Sequence, residues 1–232
     1  NNYVWNYRPG VVVFDFDRDG DQDIFISSET GHSNFLYENQ GDGVFIDVAE
    51  KSGVSSPISY ATGAVACDLN NDGYQDLYVG SQGMTGTRLD FRSSLVDTVE
   101  AAKLRESIMD RLFVNNKNGT FFEITESAFG EQVNYRAATS VACADVDNDG
   151  DIDILSASKD DDTIAWYEND GSQNFTSHTI TTNADYAKCV FAIDVDGDGD
   201  IDVLSASEGD SKIAWYENMG NPIYGCTGES SC

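Results

Sequence analysis

The sequence predicts an all-β fold, a propeller-type array of four blades with one mostly helical insertion in the second. The first observation is a long internal repeat: DVDNDGDIDILSAS at 145–158 returns as DVDGDGDIDVLSAS at 194–207. IAWYEN follows each, at 164–169 and 213–218, with the same offset of 49 residues. The second is a pair of weaker upstream copies, DFDRDGDQDIFISS at 15–28 and DLNNDGYQDLYVGS at 68–81. The third is texture: short apolar runs, rich in β-branched and aromatic residues, alternate with Gly and Asn turns. That pattern, repeating near 50 residues, suits four-stranded blades.

Each blade unit opens with an apolar run, VVVF (11–14), GAVAC (63–67), SVACA (140–144) or VFAI (190–193). These runs do not alternate with polar residues, as expected of an innermost strand covered on both faces. An aspartate-rich loop follows, then a second run, DIFIS, DLYVG, DILSA or DVLSA. The third strand carries an aromatic-Glu-Asn signature, LYEN at 36–39 and IAWYEN in the last two units, with LFVNN at 112–116 as its weaker form. A fourth run, GVFIDV, GTFFEI or NFTSHTI, closes the first three units, and Gly41-Asp42-Gly43 and Asn118-Gly119 supply turn chemistry. The fourth unit ends its third strand at Asn218. Tyr3–Tyr7 is expected to supply the missing strand and close the ring; the competing arrangement is an open arc completed by further repeats or neighbouring chains.

Loop starts at 15, 68, 145 and 194 leave spacings of 53, 77 and 49, so one insertion is placed at 85–110. Residues 93–113, SSLVDTVEAAKLRESIMDRLF, lack Gly and Pro and carry apolar residues at 95, 99, 102 and 109. They predict one amphipathic helix, either a decorated loop or a partner-binding projection. The chain of 232 residues is read as a single domain, 1–232, with blades at about 10–53, 61–130, 138–184 and 188–225 and a cysteine-containing tail at 222–232.

Charge restricts function. The chain holds 41 acidic and 13 basic residues, a net charge of −28, which disfavours nucleic acid and anionic lipid as partners. No run approaches the 18 apolar residues of a membrane span. The sequence starts at Asn1 with neither an initiator Met nor a leader, so a processed product or a piece of a longer chain is expected.

The four loops align as D-x-[DN]-x-D-G-x-x-D. Positions 1, 3, 5 and 9 are Asp15, Asp17, Asp19 and Asp23 in loop one, and Asp68, Asn70, Asp72 and Asp76 in loop two. In loop three they are Asp145, Asp147, Asp149 and Asp153, and in loop four Asp194, Asp196, Asp198 and Asp202. Calcium takes six to eight oxygens from carboxylates, carbonyls and water, so this pattern predicts four Ca²⁺ sites. Position 6 is always Gly, where the chain must turn sharply. Position 7, occupied by Asp21, Tyr74, Asp151 and Asp200, is expected to ligate through its backbone carbonyl, so its side chain can vary. Loop two, with one carboxylate fewer, should bind most weakly. An EF-hand would need a Glu at position 12, where Ile26, Val79, Ser156 and Ser205 stand.

These loops, with YENQGDGVFIDV (37–48) and NKNGTFFEIT (116–125), resemble FG-GAP/VCBS repeats, which build the propeller of integrin alpha subunits and of many secreted proteins. The resemblance implies a β-propeller with Ca²⁺ in loops joining strands of a blade, and roles in adhesion, ligand binding and extracellular scaffolding. Propellers of that family usually have seven blades, whereas four repeats are visible here.

Little else suggests chemistry. His32 and His178 are the two histidines, no G-x-S-x-G elbow occurs, and no third His or paired Cys suggests zinc. Trp166 and Trp215 share one repeat position and are read as inter-blade packing, with a sugar platform as the sharper alternative. Asn118 and Asn174 head N-x-T sequons. Cys67, Cys143 and Cys189 lie in first strands, as buried thiols or with a Cys143–Cys189 bridge, while Cys226 and Cys232 could close a small loop or join another chain. The expected protein is extracellular, calcium-binding, structural or adhesive, and non-catalytic, with a protein or glycan ligand. A glycan-binding lectin on the same scaffold is the alternative.

Overall fold

The computed structural model describes residues 9–28, 32–56, 61–81, 109–130 and 138–220. They form four antiparallel sheets in chain order. Sheet one holds β1 (Val11–Phe14), β2 (Asp23–Ile26), β3 (Phe35–Asn39) and β4 (Phe45–Asp47). Sheet two holds β5 (Ala61–Cys67), β6 (Asp76–Ser81), β7 (Arg111–Asn115) and β8 (Phe121–Glu123). Sheet three holds β9 (Ala138–Ala144), β10 (Asp153–Ser158), β11 (Thr163–Asn169) and β12 (Phe175–Thr181). Sheet four holds β13 (Ala187–Ile193), β14 (Asp202–Ser207) and β15 (Lys212–Tyr216). Two short helices, α1 (Ala49–Ser52) and α2 (Thr125–Phe129), follow the three-residue strands β4 and β8 and tuck Ala49, Ala128 and Phe129 into the core.

The sheets pack face to face, and strand alternation decides which residue meets which sheet. In β5, Ala64 and Ala66 pack with Phe14, Phe25 and Leu36 of sheet one, while Val65 and Cys67 face sheet three. In β6, Leu77 and Val79 face back and Tyr78 faces forward. In sheet three, Val141 and Ile154 face back, while Ala142, Ala144, Leu155 and Trp166 meet Val190, Val203 and Tyr216 of sheet four. Three core clusters result, one between each consecutive pair of sheets. Polar ties join neighbouring first strands: Thr62 Oγ1 donates to the Ala138 carbonyl, and Thr139 Oγ1 to the Ala187 carbonyl at 2.6 Å.

Two expectations need correction. The helix predicted over 93–113 does not reach its end, because Met109 and Asp110 are irregular and Arg111–Asn115 is strand β7. There the pairing of Leu77 with Phe113 and of Tyr78 with Leu112 overrides helical propensity. The rest of that helix lies outside the described residues, as do Tyr3–Tyr7, Cys226 and Cys232.

The disulfide is Cys67–Cys143, with Cα atoms 6.8 Å apart, and not Cys143–Cys189. Parity explains this. Cys143 stands two residues before its loop and turns back toward sheet two, where Cys67, one residue before its own loop, faces it. Cys189 shares the outward parity of Phe191 and Ile193 on sheet four and is an exposed free thiol.

Candidate metal centres

Each aspartate loop joins the first and second strands of its sheet, so all four have the same place in the fold. Position 6 has φ of 96° at Gly20, 86° at Gly73, 96° at Gly150 and 99° at Gly199, the left-handed turn that glycine adopts without strain. The turn aims each Gly N–H at the position-1 carboxylate, at 3.0 Å for Asp15, 2.7 Å for Asp68 and 3.1 Å for Asp145 and Asp194. The position-5 N–H donates to position 3, and the position-7 N–H donates to position 5 at 2.9 Å in every loop. These ties fix the side chains at positions 1, 3 and 5 within each loop.

Position 9 anchors the loop. Asp23, Asp76, Asp153 and Asp202 are fully buried. Each accepts two backbone N–H groups, one from loop position 2 (Phe16, Leu69, Val146, Val195) and one from the third-strand Asn (Asn39, Asn115, Asn169, Asn218) at 2.8 Å.

The donor set fits a hard cation. Carboxylate oxygens of Asp15, Asp17 and Asp19 lie within 4.8 Å of one another, as do those of Asp145, Asp147 and Asp153, and those of Asp194, Asp196 and Asp202. Asp15 Oδ1 and Asp145 Oδ1 are buried without a hydrogen-bond partner, a costly state for an anionic oxygen unless a cation meets it. Burial pushes the Asp23 carboxyl up to about 6 and those of Asp76 and Asp153 up to about 7, against the backbone hydrogen bonds they accept. Asp17 and Asp147 are also raised, by burial first and then by neighbouring carboxylates. A divalent ion beside them would reverse that penalty.

Loop two differs in three linked places. Position 3 is Asn70 and position 7 is Tyr74. The third is Lys117, at the site of Gly41, Gly171 and Gly220 in the other sheets, two residues past the third-strand Asn. In loop three the Asp151 carboxylate lies so close to Gly171 that a Cβ there would collide with it. With Tyr74 in place of that aspartate, a side chain fits: Lys117 Nζ sits 5.9 Å from the Tyr74 ring centre and 3.2 Å from Asp72 Oδ2. Burial alone would raise Asp72, yet the Tyr74 N–H and the Lys117 ammonium outweigh it and hold the carboxyl below its ordinary value. Among the described residues no acidic trio of the kind found in the other loops gathers in loop two.

Two sets of contacts escaped the sequence reading. The signature Asn is a latch between sheets: Nδ2 of Asn115, Asn169 and Asn218 donates to the position-2 carbonyl of the preceding loop, Phe16 at 2.7 Å and Leu69 and Val146 at 2.8 Å. Its recurrence in YEN was the available signal. The second set links loops through position 4. Arg18 stacks on Tyr74 at 5.0 Å, Asn71 Nδ2 donates to Asp151 at 2.6 Å, and Asn148 Nδ2 donates to Asp200 at 2.7 Å. Neighbouring sites are therefore in direct contact.

His178 stacks on Trp166 and pairs with Glu168 at 2.7 Å, and His32 is exposed. Trp166 is buried between sheets three and four, while Trp215 is half-buried on the outer side of sheet four. Asn118 and Asn174 sit exposed in turns. A small cleft of about 170 Å³ lies beside loop one, lined by Asp17, Glu38, Lys51, Lys117 and Asn118 among others.

Comparison with known proteins agrees with the repeat geometry. The chain is 36% identical over 72 residues to cartilage acidic protein 1 of Xenopus tropicalis and 42% identical over 59 residues to the human protein. These stretches cover 31% and 25% of the chain but only 11% and 9% of those proteins. In fold it is similar to an Agrocybe aegerita lectin that recognises non-reducing terminal N-acetylglucosamine, with a TM-score of 0.53 and 18% identity over 93% of this chain and 50% of that one. The FG-GAP-like repeat pattern matches residues 15–79, 106–156 and 145–205, more than half of the sequence, and the chain belongs to that family.

Proposed function

We infer that this chain is a non-catalytic, extracellular calcium-binding scaffold with a structural or adhesive role, its sheets arranged as blades of a propeller. Ca²⁺ sits in the aspartate loops through positions 1, 3, 5 and 9 and the position-7 carbonyl, and it ties the first two strands of each blade together. The supporting observation is the pairing of convergent carboxylates with the buried, partnerless Asp15 Oδ1 and Asp145 Oδ1. Loops one, three and four are the stronger sites. Loop two is the weakest, since Lys117 already meets part of its charge. The Cys67–Cys143 bridge and the modest calcium affinity usual for extracellular modules favour an oxidising, calcium-rich setting. Four bound ions would add +8 to a charge of −28, leaving about −20, which still disfavours polyanionic partners. Chelator-stripped protein titrated with CaCl₂ should gain thermal stability, about 2.7 kcal/mol per site at a hundredfold excess over Kd. An unchanged melting temperature would contradict the reading.

A second reading, glycan binding, draws on the fold likeness to the N-acetylglucosamine-recognising lectin and on the polar cleft at Asp17, Glu38 and Lys51. Glycan-array binding lost in Glu38→Gln, with calcium binding intact, would favour it. An array without hits would leave the scaffold reading in place.

A further inference from the structure

We propose that calcium binding at neighbouring loops is coupled, an inference that rests on the calcium reading above: Asn148 of loop three and Asp200 of loop four make their two sites fill together. Neither side chain is a ligand in that reading. Both act by positioning the backbone that is.

Position 4 stands between ligand positions 3 and 5, yet its side chain serves the next loop. Arg18, Asn71 and Asn148 share a left-handed backbone, with φ of 61°, 54° and 59°. Residues with a Cβ adopt it rarely, and Asn more readily than most. From that backbone Asn148 Nδ2 donates to Asp200 Oδ1 at 2.7 Å. Asn71 Nδ2 donates to Asp151 Oδ1 at 2.6 Å and, more distantly, to the Gly150 carbonyl at 3.4 Å. The acceptor residue is position 7 both times. Its own N–H donates to position 5 at 2.9 Å, and its carbonyl is the backbone ligand of the proposed ion.

Such a link transmits order. An ion held at positions 3 and 5 fixes the backbone on both sides of position 4, and so fixes where the amide points. The amide then holds position 7 of the next loop in place for a second ion. Without an ion the coiled loop is costly, because Asp145 Oδ1 is buried without a partner and the oxygens of Asp145, Asp147 and Asp153 converge within 4.8 Å. The first ion offsets that cost in its own loop and leaves less ordering for the second, which is positive coupling. Repulsion between two dications acts the other way, and the Asp200 carboxylate at the contact offsets part of it.

Loops three and four are the pair in which this shows. Loop one reaches loop two through Arg18 on the Tyr74 ring at 5.0 Å, a looser contact, and loop two is the weakest site. Loop four also shows that the loop folds without a position-4 side chain. Gly197 takes the left-handed turn with φ of 81°, and the N–H bonds of Asp198, Gly199 and Asp200 stay in place. Asn148→Gly therefore cuts the link and spares loop three.

Site-resolved NMR tests the coupling. CaCl₂ is added to the chelator-stripped full chain, and the amide signals of Gly20, Gly150 and Gly199 report loops one, three and four. Gly150 and Gly199 should change together and more steeply than a single site allows. Asp147→Asn with Asp149→Asn removes two charges from loop three but keeps acceptor oxygens for its turn. That pair should raise the Gly199 midpoint about twofold, as a coupling of about fivefold from one exposed hydrogen bond, shared by two sites, requires. The Gly20 midpoint should not move. In an Asn148→Gly or Asp200→Ala background the same pair should leave the Gly199 midpoint where it is. A Gly199 midpoint that ignores loop three, falls when loop three is emptied, or shifts equally without Asn148 overturns the coupling and leaves the calcium reading standing. Glycine signals indifferent to millimolar calcium overturn both.

Discussion

Loops two and three occupy equivalent places in consecutive sheets and solve the same electrostatic problem differently. Loop three presents Asp145, Asp147, Asp149 and Asp153, leaves Asp145 Oδ1 buried without a partner, and lays Asp151 over the bare backbone of Gly171. Loop two replaces one carboxylate by Asn70, replaces the outer aspartate by Tyr74, and brings the Lys117 ammonium to Asp72. The three changes make sense only together. A lysine cannot stand where Asp151 crowds Gly171, and Tyr74 both vacates that space and offers a ring for the cation. The backbone scaffold, by contrast, is the same in both loops: the position-9 aspartate, the position-6 glycine and the latch Asn keep their bonds. Loop shape is therefore set by hydrogen bonds that need no ion. In the proposed calcium-binding reading, affinity would be set by the charges that line the loop.

That separation can be broken first at position 9. Asp153→Ala leaves the N–H groups of Val146 and Asn169 buried and unpaired, and should cost about 2–5 kcal/mol by denaturant unfolding in EDTA, and more in calcium, where a ligand is lost as well. Asp76→Ala should cost a similar amount, because the anchor is common to both loops. Next is the latch. Asn169→Ala removes the bonds to Leu69 and Ile152, an expected loss of about 1–3 kcal/mol. Asn39→Ala, whose Nδ2 donates to the Gln22 carbonyl and makes no inter-sheet bond among the described residues, should cost less, and equal losses would refute the inter-sheet role.

Charge substitutions come third. Asp147→Asn should weaken calcium at loop three by about tenfold, roughly 1.4 kcal/mol by calorimetry, and leave stability in EDTA nearly unchanged. The smallest effect should come from rebuilding loop two. Asn70→Asp with Tyr74→Asp and Lys117→Gly should convert it into a site like loop three, adding one tight calcium equivalent to the titration. Lys117→Gly alone should leave it weak.

The sequence made the repeats easy to read because one hydrogen-bonded loop is written four times, and a shared turn demands the same Gly at 20, 73, 150 and 199. Strand order within each sheet followed from the runs around those loops. The second-sheet return was harder. Residues 111–113 have helix-compatible composition, and only pairing with β6 makes them a strand. The disulfide was misjudged because repeat spacing says that two cysteines lie on adjacent sheets but not which face each takes. Counting parity from the loop would have placed Cys189 on the outer side. The latch Asn and the Lys117–Tyr74 exchange depend on contacts up to 100 residues apart in sequence, which a linear motif does not display.

The most direct test strips the full chain with chelator and titrates it with CaCl₂ by calorimetry, while thermal unfolding is followed in parallel. Ions cradled by the bends should bind in at least three strong equivalents and raise the melting point as they fill. No heat of binding and a melting point indifferent to millimolar calcium would mean that these carboxylates serve only as turn-forming acceptors.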